Sequence, residues 1–150
     1  MTETLETVAA KLVENERGIG QLYELFAAAF PDDAPLWSAL GQEEQQHAEW
    51  IRQAVEAMPA DTRQQPVPAI RSQAIGSMMA YVASVRERCR RKELSRLNAF
   101  ALARDIENSL LEGRLLESLK TPVAGVDKDL LAATAVHRRR IVEAMQRLPQ

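Results

Sequence analysis

Hydrophobic residues recur every three or four positions along most of the chain, which is the spacing of one face of an α-helix. The period is clear over residues 3–29, 34–57 and 69–92, and it returns between about residues 95 and 148. No segment alternates apolar and polar residues as a half-buried strand would. The pattern therefore predicts an all-α protein.

Prolines and capping residues mark where these helices begin and end. Pro31 ends the first helix, and the acidic turn that follows it suits the start of the second. Ser95 is a plausible N-cap for the helix after it. Beyond the break at 121–125, Asp127 is a candidate N-cap for the last helix.

The order of the helices predicts how they connect. Two helical hairpins, at about 3–57 and 95–148, have short internal connections. The segment 59–94 separates them and is itself partly helical, after a proline-rich connector at 59–68. Two hairpins joined by one long crossover form a ferritin-like four-helix bundle, not an up-down-up-down bundle. We expect residues 1–150 to form a single domain of this kind.

Ligand-type residues interrupt the apolar stripes at five positions, namely Glu16, Glu44, His47, Glu107 and His137. Glu44 and His47 lie three positions apart, so both project from one side of a helix. Each half of the chain has a glutamate in one helix and a histidine in the next. An isolated charge in a core costs several kcal/mol, on the order of its desolvation penalty. A metal ion removes that cost, and mixed carboxylate and imidazole ligands suit Fe(II), Mn(II) or Zn(II).

The first half carries a family resemblance, with Glu16 seven residues before Tyr23 and the run Glu44-Gln-Gln-His47-Ala48 on the next helix. Over nearly its whole length the chain resembles the rubrerythrin-like branch of the ferritin-like superfamily. The resemblance implies non-haem iron between four helices and oxidoreductase chemistry on oxygen or peroxide.

The resemblance also implies a role for each candidate ligand. Glu16 and His47 would be terminal ligands of one iron, and Glu107 and His137 would be terminal ligands of the other. Glu44 would bridge the two irons.

The second half departs from the family pattern at two positions. Thr134 stands where the pattern has a bridging glutamate, and Arg114 stands where the first half has Tyr23. A guanidinium beside Glu107 could satisfy that carboxylate without metal. We therefore expect the first-half ligands to bind metal more tightly, and a mononuclear or a dinuclear centre both remain open. The sequence lacks the four-cysteine site of a rubredoxin domain, so redox activity would need an external electron donor.

A metal-free bundle with a structural or protein-interaction role is the alternative. In that case Glu44 and His47 form a helix surface pair, and Glu107 and His137 join a core hydrogen-bond network with Arg114 and Thr134. Tyr23 is expected to pack in the core with its hydroxyl satisfied in either case. The ligand pattern in both halves favours the metal-binding hypothesis.

Composition adds expectations about location and partners. The net charge of −2 gives no general attraction to nucleic acid, and the basic run at 86–92 lacks the interleaved aromatics of a nucleic-acid site. A single Cys89, no signal-peptide pattern and no apolar run of about 20 residues predict a cytoplasmic protein without a membrane span. Met78, Met79 and Tyr81 form either a homodimer surface or a cover over one end of the bundle.

Overall fold

The computed structural model describes residues 2–113 and 124–149 and is mostly helical over them. Its helices are α1 Leu5–Ala29, α2 Ala34–Glu56, α3 Ala60–Arg63, α4 Ala69–Arg90, α5 Arg96–Gly113 and α6 Ala124–Gln146. Two short strands, β1 Thr2–Thr4 and β2 Pro66–Pro68, and a 3-10 turn at Pro31–Asp33 complete the described elements. The predicted all-α class is confirmed at this level.

Most helix ends lie close to their predicted positions. The Ser95 hydroxyl accepts from the Asn98 backbone N–H at 3.1 Å, while the Asn98 side chain accepts from the Ser95 N–H at 3.0 Å, which confirms the predicted cap. Asp127 was wrongly predicted as an N-cap, because α6 already begins at Ala124. A glycine in a helical turn costs only about 1 kcal/mol, so Gly125 does not prevent the earlier start.

The two strands are a feature that the hydrophobic pattern did not predict. They pair antiparallel, with Glu3 opposite Val67. Pro66 and Pro68 favour an extended backbone, and Val67 between them is buried. Three residues are too few to display an alternating pattern. The pairing ties the start of the chain to the crossover segment.

Close contact between α1 and α2 sets the geometry of the first half. The Tyr23 ring lies 5.4 Å from the Trp37 ring, centroid to centroid. A Cβ atom added to Gly20 would lie 3.1 Å from the Gly41 carbonyl oxygen, and one added to Gly41 would lie 3.1 Å from the Gly20 oxygen. The backbones therefore touch at these glycines, and the two helices run in opposite directions. The long crossover helix α4 packs against α1, whereas α5 packs against α6.

The buried side chains form two apolar clusters. The aromatic cluster contains Ile19, Leu22, Tyr23, Phe26, Trp37, Leu40, Val82, Val85, Cys89, Ala99, Phe100, Ala103, Ile106 and Ile141. The aliphatic cluster contains Leu5, Val8, Ala9, Leu12, Val13, Ala48, Ile51, Val67 and Ile75. Along α1 and α2, Glu16, Glu44 and His47 fall between the two sets. The ionisable residues thus occupy a layer between two apolar regions.

The crossover helix covers both clusters. Met78 packs against the aromatic cluster and Met79 against the aliphatic cluster, whereas Tyr81 is 39% exposed. Homodimer formation through this surface remains a prediction. Among the helices that the structure describes, none is long and apolar enough to cross a membrane.

The glycine contact predicts a stability difference between two substitutions. Gly41→Val should lower the free energy of unfolding by about 2 kcal/mol, because the opposing backbone carbonyl cannot yield without separating the helices. Gly76→Val is the matched control, since an added Cβ there has nothing within 4 Å. Gly76 lies on the exposed side of α4, so the valine should change the free energy of unfolding by less than about 1 kcal/mol. Urea unfolding monitored by circular dichroism measures both, and equal effects would contradict the close contact.

Candidate metal centre

The structure places all five sequence-predicted ligands in the buried layer. Glu16 comes from α1, Glu44 and His47 from α2, Glu107 from α5 and His137 from α6. None of these five residues is more than 6% exposed. Residues from both predicted halves therefore meet in one core.

Glu44 contacts both imidazoles. Its Oε1 is 2.8 Å from His137 Nδ1, and its Oε2 is 3.5 Å from His47 Nδ1. The two rings stack with centroids 5.1 Å apart and an interplanar angle of 22°. One ligand atom from each of Glu44, His47 and His137 lies within 4.8 Å of the others, so these three side chains could hold one ion. A carboxylate with one oxygen toward each histidine can also bridge two ions.

Glu107 is held by a tyrosine from the other half of the chain. The Tyr23 hydroxyl donates to Glu107 Oε1 at 2.7 Å, and His137 Nδ1 lies 3.6 Å from the same oxygen. Tyr23 is fully buried in the aromatic cluster, as predicted, and its hydroxyl is satisfied. Arg114, which the sequence placed beside Glu107, lies outside the described residues.

Buried polar atoms around the layer lack hydrogen-bond partners. Among the residues that the structure describes, Oε2 of Glu16, of Glu44 and of Glu107 has none. The same is true of both amide atoms of Asn15, which is 1% exposed. Sequence reasoning missed Asn15, although its place three residues after Leu12 and four before Ile19 puts it on the buried stripe. Unpartnered buried oxygens of this kind are expected where a cation or a proton is to be bound.

The carboxylates of the layer differ in their tendency to ionise. Burial and the neighbouring Glu44 charge raise the pKa of Glu16 well above its usual range. Burial and Glu44 also raise the pKa of Glu107 to about 7, against the lowering effect of His137 and Tyr23. Burial opposes the charge on Glu44, but contacts with Glu16, His137 and His47 outweigh it and lower the pKa of Glu44 below its usual range.

His137 is the cation that balances Glu44. Burial alone would lower the pKa of His137, but the carboxylates of Glu107 and Glu44 raise it to about 10. Without metal the layer therefore holds one main ion pair, Glu44 with His137, beside two carboxyl groups, Glu16 and Glu107, that bind a proton more readily than an exposed carboxyl does.

A groove between α2 and α6 reaches the imidazoles from the surface. It has a volume of about 320 Å³, and His47, Trp50, Ala133, Val136 and His137 are among its lining residues. Trp50 and Val136 are 38% and 39% exposed, and the Trp50 ring lies 5.4 Å from the His47 ring. A small molecule could approach the layer from this side.

The outer edge of His137 faces a second ion pair. Glu43 Oε2 lies 3.7 Å from His137 Nε2, and Arg140 donates to the two Glu43 oxygens at 2.7 and 3.1 Å. This pair joins α2 to α6 beside the groove. Thr134, three residues before His137, is also buried on α6.

Comparisons of the chain with family models, with curated proteins and with solved structures found no match. The case for a function therefore depends on the geometry and chemistry of the layer.

The protonation states predict how stability depends on pH in chelator-treated protein. Because the pKa of Glu107 is raised from 4.5 to about 7, its contribution to stability is fully present below pH 4.5 and is lost as the pH rises through 7. The raised pKa of His137 acts in the same direction, with its contribution lost as the pH rises from 6.5 through about 10. The free energy of unfolding should therefore fall between about pH 5 and pH 8, by on the order of 2 kcal/mol from Glu107.

Glu107→Gln tests that assignment, because glutamine mimics the protonated acid. The variant should show a shallower fall over the same pH interval in urea unfolding. Glu93→Gln, at an exposed position, is the control and should keep the slope of the parent protein. If the free energy of unfolding of Glu107→Gln falls with pH as steeply as that of the parent protein, Glu107 is not the group responsible for the fall.

Proposed function

We propose that this protein is a non-haem metal-binding protein of the ferritin-like, rubrerythrin-like type, with iron as the metal and manganese or zinc as alternatives. In this proposal α1, α2, α5 and α6 form the four-helix bundle, and α4 belongs to the crossover. The observation that carries the proposal is the position of Glu44, with one carboxylate oxygen toward each buried imidazole.

The chemistry of the layer fits a divalent cation. Three buried carboxylates and two imidazoles supply oxygen and nitrogen ligands. Oε2 of Glu16, Glu44 and Glu107 finds no hydrogen-bond partner among the described residues, and a cation would satisfy such atoms. Ionised groups buried in this way are stable when they are paired or coordinate a metal.

The five ligands divide around Glu44. Glu16 and His47 are proposed for one metal position, Glu107 and His137 for the other, with Glu44 shared. Thr134 contributes no carboxylate to the second position, so the centre carries one negative charge fewer than the family pattern implies. We therefore propose one tight position and one weaker position.

The surrounding residues suit chemistry on small molecules. Bound iron would supply one-electron redox chemistry toward oxygen or peroxide. Tyr23 holds the orientation of Glu107 through a 2.7 Å hydrogen bond, and the two apolar clusters exclude water from both sides of the layer. The groove beside Trp50 gives a route for the small molecule, and reducing equivalents would come from an external donor.

A metal-free interaction module is the second candidate. Two contacts favour it: the 2.8 Å contact between Glu44 and His137, and the hydrogen bond from Tyr23 to Glu107. Both reduce the free-energy cost of burying these side chains without metal. In this case the layer would serve only to position the helices.

Metal analysis separates these two candidates. Protein that is reconstituted anaerobically with Fe(II) and then desalted should retain about one equivalent of iron per chain, and Glu44→Ala should retain almost none because it removes the shared ligand. Glu56→Ala is the matched control, because it removes a 65% exposed carboxylate from the same helix, away from the layer. Iron well below one equivalent in the parent protein would favour the metal-free module.

Comparison of the two histidines tests the unequal halves. His47→Ala and His137→Ala should each weaken metal binding by roughly tenfold or more, with the larger loss for His47, because the second position lacks a carboxylate at Thr134. Titration with Co(II), followed by its visible absorption, measures both affinities. Equal losses would refute the inequality, and no loss from either variant would refute the ligand assignment.

Metal binding should also release protons. His137 must lose the proton that it holds with a pKa of about 10, and Glu107 must lose one with a pKa of about 7. The apparent affinity should therefore rise from pH 6 to pH 8, and calorimetry in buffers of different ionisation enthalpy should detect the release. Glu107→Gln should reduce the number of protons released, whereas Glu93→Gln should not. An affinity that does not change with pH would contradict the protonation states assigned to the layer.

A further inference from the structure

A second cavity lies far along the bundle from the metal layer, at the C-terminal ends of α1 and α4. Its volume is about 560 Å³, which is within the range of small-molecule sites. Leu25, Phe30 and Leu94 line it with partly buried apolar side chains that pack against the aromatic cluster. The Cys89 side chain forms part of its wall.

Two cations, Arg90 and Lys92, line the same cavity and are exposed. Arg90 lies 3.6 Å from Glu87 and shares that carboxylate with Arg91. Lys92 has no ion-pair partner among the residues that the structure describes. The cavity therefore combines an apolar interior with an unneutralised positive charge at its edge.

Lys92 also has an unusual backbone. It is the one non-glycine residue with a positive φ, 58°, in the described part of the chain. It follows the end of α4, where the Lys92 N–H donates to the Cys89 carbonyl and the Glu93 N–H donates to the Arg88 carbonyl, both at 3.0 Å. This hydrogen-bond pattern is the helix ending that glycine usually completes, because a side chain is disfavoured in the left-handed region. The cation thus occupies a position where glycine would relieve strain.

We propose that this cavity binds a single-chain anionic amphiphile, such as a medium-chain carboxylate, with the chain against Leu25, Phe30 and Leu94 and the head group at Lys92. Charge complementarity decides the class of ligand: an apolar chain alone would make no use of the Lys92 cation, and a cationic head would be repelled. Strained residues persist where the surrounding structure holds them, and they are frequent at ligand sites. The site is independent of the proposed metal centre.

Calorimetry with decanoate and with decyltrimethylammonium tests the proposal. The two amphiphiles have ten-carbon chains and opposite charges, and both are used below their micellar concentrations. Decanoate should bind with one site per chain and should slow the reaction of Cys89 with a thiol reagent. Decyltrimethylammonium should bind at least about fivefold more weakly, which is the effect of one partly exposed charge pair.

Substitutions of Lys92 separate charge from strain. Lys92→Gln removes the charge and keeps the side chain, and it should weaken decanoate binding about fivefold. Lys92→Gly should show the same loss together with a higher Tm, because glycine adopts the left-handed backbone without strain. Lys92→Arg keeps the charge and should retain the affinity. Ala28→Phe places a ring in the cavity from an exposed position of α1 and should abolish decanoate binding.

Several outcomes would overturn the proposal. They are no binding of decanoate to the parent protein, equal affinity for the two amphiphiles, and unchanged decanoate binding in Lys92→Gln. Binding to phosphatidylglycerol vesicles without binding of monomeric decanoate would assign the surface to a membrane instead.

Discussion

The burial of ionisable side chains in one layer is the constraint on which the rest of this structure depends. The aromatic cluster lies on one side of the layer along the helices and the aliphatic cluster on the other, so water is largely excluded from both directions. A carboxylate in such a place must bind a proton, pair with a cation or bind a metal. Glu44 meets this requirement through His137, which lies 93 residues away in sequence. The same contact joins α2 to α6. One interaction therefore both balances the buried charge and holds the two helices together.

The geometry of that contact depends on how closely α1 approaches α2. Gly20 and Gly41 allow the two backbones to touch, and this fixes the register that sets Glu16 beside Glu44. A larger residue at either glycine would separate the helices and widen the layer. Glycine costs helix propensity at both positions, by up to about 1 kcal/mol each. That cost is offset by the packing of the aromatic cluster, in which Tyr23 and Trp37 come from the same two helices. The packing around the glycines therefore determines where the ligand-type residues meet.

Much of this arrangement could be predicted from the sequence because it follows from helical periodicity. The stripe that contains Leu12 and Ile19 also contains Glu16, and the period alone is enough to place that glutamate inside. Contacts between distant segments were not predictable in this way. The hydrogen bond from Tyr23 to Glu107 depends on how the two halves dock, which no local pattern encodes. The strand pairing of Glu3 with Val67 was missed because three residues give no readable alternation, and Lys92 was missed because backbone strain leaves no mark in hydropathy.

Thr134 bears on the charge balance of the layer both without metal and in the proposed metal centre. Without metal, protons on Glu16 and Glu107 and the ion pair between Glu44 and His137 leave the layer close to neutral. A fourth carboxylate at position 134 would add another buried group that must bind a proton or a cation, and it would make the metal-free fold harder to maintain. A threonine avoids that cost, but it provides a poor ligand for a second ion. In the proposed centre the threonine would therefore favour folding before metal is bound and would limit the charge available to hold a second metal. Protons and metal would compete there for the same oxygens, and the number of carboxylates would set the balance between them.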